Sequence, residues 1–283
     1  MPAIITKDFR VHNAKQFEES FGETADTYYL AIGRPQAFAD NQAFNEGTDA
    51  SPPTPVDSVG SVEYYAYDDF LSAKKITSSD VSLVIPRRNW TTGTTYDYYR
   101  HDYGDINSAG SVISANSGAT SLYDATFYVM NSTFDVYKVI DNNGDSASTV
   151  EPSGNKSTSV FSTGDSYKWK YMYSLSASEQ ANFLSTDFMH VSTESSDFST
   201  TGGAIEHVKI TAGGSGGTNG TYTGVDIRGD GSSGKATIVV ASNAVSSVTI
   251  TTAGSGYTYA SVKASDFGSV SGADIDFIIS PPG

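Results

Sequence analysis

The chain has 283 residues, 38% of them hydrophobic, with 32 acidic and 17 basic side chains and a net charge of −15. This length can bury one large core or two modest ones. The acidic surface repels phosphate backbones and anionic lipids, so we expect no nucleic acid and no membrane partner, and protein partners instead. Because the chain contains no cysteine, disulfides and thiolate metal sites are excluded.

Composition also indicates the fold class. The 18 Tyr and 14 Phe residues alternate with Ser, Thr and Val, which is the usage of half-buried strands. We therefore predict a mainly β protein. The opening MPAIITKDFR lacks a signal-peptide pattern, and no apolar run approaches the roughly 20 residues of a membrane helix, so we expect a soluble chain.

Near the start, Asn13 is placed to cap a helix with Phe17 and Phe21 on one face, ending at Gly22. TYYLAIGR (27–34) then predicts a strand.

The next segments are less regular. The Pro-rich passage around residues 52–55 predicts a surface loop. Residues 62–76, VEYYAYDDFLSAKKI, combine strand-favouring aromatics with helix-like charge spacing, and we interpret them as a strand followed by a short helix.

SLVIPRRNW (82–90) predicts an edge strand that ends at Pro86, because proline donates no ladder hydrogen bond. A tyrosine-rich loop, YDYYRHDYGD (96–105), follows. Residues 125–141 predict a strand pair, and Asn143-Gly144 predicts a turn after it.

Residues 166–175, SYKWKYMYSL, alternate aromatic with mostly polar side chains, which predicts a half-buried strand with Trp169 on its aromatic face. A short helix is expected at 176–184.

After Gly202 the composition changes to Gly, Ser, Thr and Val. VKITAGGSG (208–216) is echoed by VTITTAGSG (248–256), and Ser242-Asn243 predicts a hairpin turn between them. DIDFIISPPG (274–283) predicts a strand that enters a loop. We therefore predict two domains, 1–202 and a small Gly-rich β module at 203–283.

Several motifs suggest chemistry, and none is complete. GDGSSGKA (229–236) matches a phosphate-binding loop except that Ala236 replaces the Ser or Thr and a strand-like run follows. GGSGG (213–217) resembles a hydrolase elbow and DNNGDS (141–146) a calcium loop, but the first is a common Gly-Ser string and the second lacks its turning glycine and closing Glu. RGD at 228–230 is a three-letter match. We expect no catalytic residue, metal or cofactor, hence no enzyme.

Two features leave alternatives open. Arg87 and Arg88 are either solvated charge at a loop start or anchors that bind carboxylates of a neighbour. Tyr98 and Tyr99, in the tyrosine-rich loop, belong either to a protein interface or to a sugar-binding surface.

Four stretches together resemble a known family: TYYLAIGRPQAF, PPTPVDSV, LVIPRRNW and GDSYKWKYMYSLS. In order and spacing they are similar to the baseplate wedge protein called gene product eight of T-even contractile-tailed phages, which has a strand ending in GR, a Pro-rich loop running into TDSV, VIPRRDW and GDGYVWEYLFEIP. The likeness covers roughly residues 4–190.

This resemblance implies a β-sandwich with short helices in its connecting loops. It also implies a homodimer that binds other baseplate wedge proteins, in the tail baseplate of a virion assembled in the host cytoplasm. The matching motif residues are Gly33, Arg34, Pro55, Asp57, Pro86, Arg87, Arg88 and Trp90.

Two departures accompany the resemblance. Asn89 replaces an acid, and 203–283 has no counterpart and looks like repeats of phage tail and fibre proteins. The alternative function is a receptor-binding or fibre-tip protein for host glycans. A third possible function is a tail-associated hydrolase, which only GGSGG or scattered carboxylates would support.

Overall fold

The structure is a computed structural model of the chain. It describes residues 7–23, 25, 27–33, 48, 50–51, 70–106, 110–156, 159–191 and 202–280. The chain divides into two compact units, Met1–Val84 and Ile85–Gly283. Strands dominate the described residues, which include two α-helices. The prediction of a mainly β protein is confirmed.

The first unit contains a helix and a two-stranded antiparallel ribbon. These elements are α1 (Lys7–Ser20), β1 (Tyr28–Gly33) and β2 (Phe70–Ile76). The Phe21 ring joins helix and ribbon, because its centroid lies 5.0 Å from that of Phe17 and 4.6 Å from that of Tyr28. The strand predicted at 27–34 is confirmed over Tyr28–Gly33.

Two predictions in this unit are wrong. The helix begins at Lys7, so Asn13 lies inside it and does not cap it; no Gly or Pro in KDFRVH prevents the earlier start. Residues 70–76 form a strand, not a helix, because pairing with β1 satisfies their backbone groups and overrides the helical charge spacing. The Pro-rich loop at 52–55 and the strand predicted before residue 70 lie outside the described residues.

The first half of the second unit is built on an open four-stranded sheet. Its elements are β3 (Val84–Pro86), β4 (Tyr128–Met130), β5 (Asp135–Asp141), β6 (Phe161–Ser162), β7 (Lys168–Ser174), α2 (Ala177–Phe183) and β8 (Phe188–His190). The sheet order is β4-β5-β7-β6, and β3 pairs separately with β8. The predicted edge strand, strand pair, turn and short helix are all confirmed; Ser176 and Glu179 form a capping box at α2.

The second half of this unit is also all strand and turn. Its strands are β9 (Ile205–Ser215), β10 (Gly220–Asp226), β11 (Arg228–Gly229), β12 (Lys235–Ala241), β13 (Ala244–Thr252), β14 (Ala260–Ser261) and β15 (Ser271–Ile279). The hairpin turn predicted at Ser242-Asn243 is confirmed: φ is +52° and +64°, as a two-residue primed turn requires.

Cores lie in both halves. Val129, Tyr137, Val139, Tyr167 and Trp169 are fully buried in the first, and a larger apolar cluster in the second draws its buried members only from positions 205–279. The face of the four-stranded sheet that carries Lys138 and Lys170 is covered by β9 through Glu206. These facing layers fit a β-sandwich. That 203–283 is a separate module stays a prediction.

The glycine-rich turns of the second half pack around one buried ring, that of Tyr257. Its hydroxyl donates to the carbonyl of Ile227 at 3.0 Å and accepts from the N–H of Gly234 at 3.1 Å. A Cβ on Gly231 would lie 2.4 Å from Cγ of Tyr257. The glycines of GDGSSGKA therefore permit close packing on a tyrosine.

We expect Gly231→Ala to lower the free energy of unfolding by about 1–3 kcal/mol, because the added methyl overlaps the Tyr257 ring and the Ser255 carbonyl. Chemical denaturation followed by circular dichroism measures the change. Gly164→Ala is the matched control, since its Cβ would meet only a Val150 methyl at 3.8 Å. Equal stability of the two variants would refute the packing role.

Candidate functional site

Residues 84–90 form a corner that backbone and side-chain hydrogen bonds attach to β4 and to the segment before β8. The Tyr128 hydroxyl donates to the Pro86 carbonyl at 2.7 Å. The Met130 N–H donates to the Arg88 carbonyl at 2.7 Å, and its carbonyl accepts from the Trp90 N–H at 2.9 Å. Beyond Pro86 the corner therefore pairs with β4, the edge strand of the four-stranded sheet.

Arg88 binds three successive backbone carbonyls. Its guanidinium donates to Ala125, to Tyr123 at 3.2 Å and to Asp124 at 3.3 Å. It also lies 5.0 Å from the centre of the Tyr128 ring, within cation–π range. The side chain thereby holds the 123–125 segment against the corner.

Arg87 joins the corner to the turn before β8. Its backbone N–H donates to the Asp187 carbonyl at 2.8 Å, and its guanidinium donates to the Ser185 carbonyl at 2.8 Å. Nε also donates to the Asn89 side-chain oxygen at 3.0 Å. Asn89, at the position where the resemblance implies an acid, thus gives this arginine an uncharged acceptor.

Trp90 ties the corner to a network centred on Asp165. The indole N–H donates to the Ser148 hydroxyl at 3.0 Å, and that hydroxyl donates to Asp165 at 3.1 Å. Burial opposes ionisation of Asp165, but hydrogen bonds from Thr163 and from the backbone at Thr149 prevail and lower its pKa. The carboxylate stays charged and orders the loop beneath Trp90.

We expect Arg88→Ala to lower the free energy of unfolding by about 1–3 kcal/mol, because the carbonyl of the fully buried Ala125 loses a charged donor. Arg88→Lys should retain only part of this stability, since one ammonium group does not reproduce the planar set of donors of a guanidinium. Urea denaturation reports both values. Arg228→Ala, which removes a half-exposed ion pair with Asp266, is the control; a loss no larger than the control's would count against this role.

The tyrosine-rich loop is largely buried. Tyr96, Tyr99 and Tyr103 are 4–8% exposed, and the half-buried Tyr98 donates to Asp276 on β15 at 3.3 Å. Lys209 lies 3.8 Å from the Tyr98 ring centre. These rings contact other parts of the same unit, so the loop offers little aromatic surface for a sugar.

Asp276 is held mainly by Arg100. The guanidinium donates to Asp276 at 2.5 Å and binds both oxygens of Asp102, at 2.8 and 2.9 Å. Burial, helped by the charges of Asp274 and Asp102, raises the pKa of Asp276 although Arg100 opposes the shift. This cluster joins the tyrosine-rich loop to β15.

A second charged cluster is buried between the four-stranded sheet and β9. Glu206 accepts from Lys138 at 2.9 Å and from Lys170 at 2.6 Å, and all three side chains are 5–7% exposed. Lys138 also lies 4.2 Å from the Tyr99 ring centre. Burial raises the pKa of Glu206, but the two ammonium groups outweigh it and the net shift is downward.

This cluster corrects one prediction. The strand at β7 was predicted to be half-buried with a mostly polar face opposite Trp169, yet Lys170 on that face is only 6% exposed. Glu206 covers it, because the carboxylate balances part of the positive charge that burial would otherwise leave unpaired. The aromatic face is as predicted for Trp169, which is fully buried and stacks on Tyr167 with centroids 5.3 Å apart. The prediction is wrong for Tyr173, because a β-bulge pairs it with Val136 and it packs in a cluster separate from that of Trp169.

The structure brings some predicted site residues together and separates others. Pro86, Arg87, Arg88 and Trp90 share the corner, Tyr98 and Tyr99 lie at the charged clusters, and Trp169 lies in the core. Gly33 ends β1 in the other unit. Arg34, Pro55 and Asp57 lie outside the described residues. A partner contact at any of them stays a prediction.

Sequence reasoning missed Glu206, Arg100 and Asp97. Asp97, 1% exposed, accepts from Ser117 at 2.7 and 2.9 Å and from Thr126 at 2.8 Å. Burial opposes its ionisation, but these hydrogen bonds lower its pKa. In the sequence, the signal that could have indicated Asp97 was an acidic residue inside a tyrosine-rich loop.

The short motifs that suggested chemistry in the sequence form ordinary strands and turns. β12 begins at Lys235, so the last two residues of GDGSSGKA (229–236) already belong to a strand. Within RGD, Arg228 pairs with Asp266 at 2.8 Å and Asp230 accepts from the Thr258 N–H at 2.8 Å. DNNGDS forms a turn. The described ranges contain no group of three or more His, Asp or Glu placed to hold a metal, and no helix in them is long and apolar enough to cross a membrane.

Comparison with known families identifies the first half of the chain. The family model described as bacteriophage T4 Gp8 matches residues 3–151, which include β1, the VIPRRNW corner and β5. The chain belongs to the bacteriophage T4 Gp8 family. The predicted resemblance is thereby confirmed over this range, whereas GDSYKWKYMYSLS lies beyond it. None of the curated proteins compared with the chain matches it.

Membership fixes the broad role. Gp8 is a structural component of the phage baseplate wedge, so this chain is a baseplate protein and its location is the tail baseplate of the virion. The family also implies interaction with other baseplate proteins.

Proposed function

We propose that this Gp8-family chain is a homodimeric β subunit of the wedge, without enzymatic activity, that binds neighbouring wedge proteins and holds them in position. The observation that carries the proposal is the family match across the VIPRRNW corner. The side chains of that corner bind backbone carbonyls of their own unit, which suits a rigid support. Obligate assembly interfaces usually bury more than about 2,000 Å².

Native mass spectrometry of the purified chain tests the copy number. We expect two copies, twice 29.9 kDa, and co-purification with other wedge proteins of the same phage when they are co-expressed. Three copies without co-purification would refute the proposal and favour a fibre or receptor-binding protein; binding on a glycan array would do the same.

The proposal includes a part in switching baseplate conformation during infection. Support comes from the buried Lys138, Lys170 and Glu206 cluster, which joins the two halves of the second unit, so we propose that this unit moves as one body. Electron cryomicroscopy of tails before and after contraction tests it: the unit should superimpose while its neighbours move. Separation of β9 from the four-stranded sheet would contradict it.

We also propose that 203–283 is the predicted β module. The larger apolar cluster lies entirely within positions 205–279, which supports a core of its own. Nuclear magnetic resonance of residues 203–283, expressed alone, tests this. Dispersed amide signals would support a module that folds by itself, and collapsed signals would contradict it.

A further inference from the structure

An apolar cavity of about 270 Å³ opens beside the VIPRRNW corner. Its walls include Ile85 and Pro86 from the corner, Tyr123, Phe127 and Tyr128 from the segment opposite, and Met172 from β7. Small-molecule sites usually measure about 300–1,000 Å³. This cavity is smaller and suits one or two bulky side chains.

Arg88 does not line this cavity but holds two residues that do, Tyr123 and Tyr128. It binds the Tyr123 carbonyl at 3.2 Å and lies 5.0 Å from the Tyr128 ring centre, so it fixes two of the walls. The Tyr128 hydroxyl bonds to the Pro86 carbonyl at 2.7 Å, which fixes a third. Tyr123 lines the cavity and is 75% exposed, so its side chain is accessible to solvent. The cavity is thus built by the motif, with an aromatic side chain available to a partner.

Lys138 lines the cavity, and Arg87 and Arg88 directly follow Pro86 of its wall, although the whole chain carries −15. Within the described ranges, none of the ion pairs includes Arg87 or Arg88, whose partners are carbonyls and the Asn89 amide. Asp124 is nearby, but its carboxylate accepts from Ser121 at 2.8 Å. Two arginines without carboxylate partners favour an acidic segment on whatever enters the cavity.

We propose that this cavity binds a segment of a neighbouring wedge protein that carries a bulky apolar side chain next to a carboxylate. The inference rests on the proposed function and specifies how a partner is held. A second copy is disfavoured, because a two-fold contact at the cavity would bring the arginine pairs of both copies together.

Photo-crosslinking identifies the occupant. The probe is Tyr123 replaced by p-benzoylphenylalanine, in a chain co-expressed with the other wedge proteins of its phage. The control carries the same group at Tyr259, which is 61% exposed. Mass spectrometry should find crosslinks from position 123, but not 259, to an apolar side chain near an Asp or Glu of one wedge protein. Crosslinks to a second copy, to this chain itself, or to nothing would overturn the proposal.

Filling the cavity gives an independent measurement. We expect Met172→Trp to weaken association with that wedge protein by roughly thirtyfold, as for a residue at the centre of an interface. Tyr123→Ala, at a position too exposed to affect folding, should weaken it in the same direction. Thermal unfolding verifies that both variants fold.

These outcomes separate the two proposals. If both variants enter the wedge and associate as the unsubstituted chain does, the cavity proposal fails while the wedge function stands. If the unsubstituted chain itself does not associate with wedge proteins, the proposed function fails.

Discussion

Glu206→Gln is expected to lower the free energy of unfolding by about 3–5 kcal/mol, because it leaves two ammonium groups buried without a carboxylate. Lys138 and Lys170, 5% and 7% exposed, both bind Glu206, so removal of one negative charge leaves two positive charges close together. Burial already lowers the pKa of Lys138 despite Glu206. Chemical denaturation of the purified chain provides the measurement.

A matched control separates buried from exposed charge. Asp226 pairs with Lys235, but these side chains are 59% and 44% exposed, so Asp226→Asn should change stability by about 0–1 kcal/mol. In addition, replacing the whole cluster (Lys138→Met, Lys170→Met, Glu206→Leu) should restore much of the lost stability, because no buried charge is left unpaired. A small effect of Glu206→Gln, equal to that of the control, would show that water reaches the cluster.

The pH dependence of this contribution has a definite sign. Glu206 has a folded-state pKa below its ordinary 4.5, so the folded state binds a proton less readily than the unfolded state does. The stabilisation is therefore fully present above about pH 4.5 and is lost as pH falls through the folded-state pKa. The difference in stability between the chain and its Glu206→Gln variant should shrink in acid; a constant difference would contradict the assignment.

Sequence patterns predicted those elements whose signals are local. Alternation in 166–175 and the turn residues Ser242-Asn243 specify their structure within a few positions. Residues 70–76 were misassigned because the strand that decides them, β1, lies about forty positions earlier. Pairing between distant segments has no local signature.

The same distinction applies to the candidate site. VIPRRNW indicated where two arginines lie, but not what they bind, because most of their acceptors are backbone carbonyls, which every residue possesses. The Glu206 cluster joins positions 68 and 36 residues apart, so no spacing within the sequence could indicate it. The tyrosine-rich loop was assigned to an interface or a sugar site. The buried Tyr96 packs against Trp169 and Tyr99 against Phe127, and the Tyr98 hydroxyl donates to Asp276, so the partners of these rings lie about 30 to 180 residues later in the chain.

Trp169→Ala is expected to lower the free energy of unfolding by about 3–5 kcal/mol, because a fully buried indole leaves a cavity that neighbouring residues fill only in part. The ring stacks on Tyr167, with centroids 5.3 Å apart, and its N–H donates to the Thr163 hydroxyl at 3.0 Å. Chemical denaturation followed by far-ultraviolet circular dichroism avoids reliance on the lost fluorophore. Trp169→Phe should lose less, since a ring still fills most of the space.

Tyr259→Ala is the control for this prediction. Because the Tyr259 ring is 61% exposed, its removal should change the free energy of unfolding by no more than about 0.5 kcal/mol. Trp169 lies on the sheet face opposite Lys138 and Lys170, so its removal tests the aromatic core separately from the charged cluster. Distant sites usually contribute additively, within about 0.5 kcal/mol. If Trp169→Ala and Glu206→Gln together destabilise by much less than their sum, the two faces of the sheet are coupled, and the second unit unfolds through one shared core.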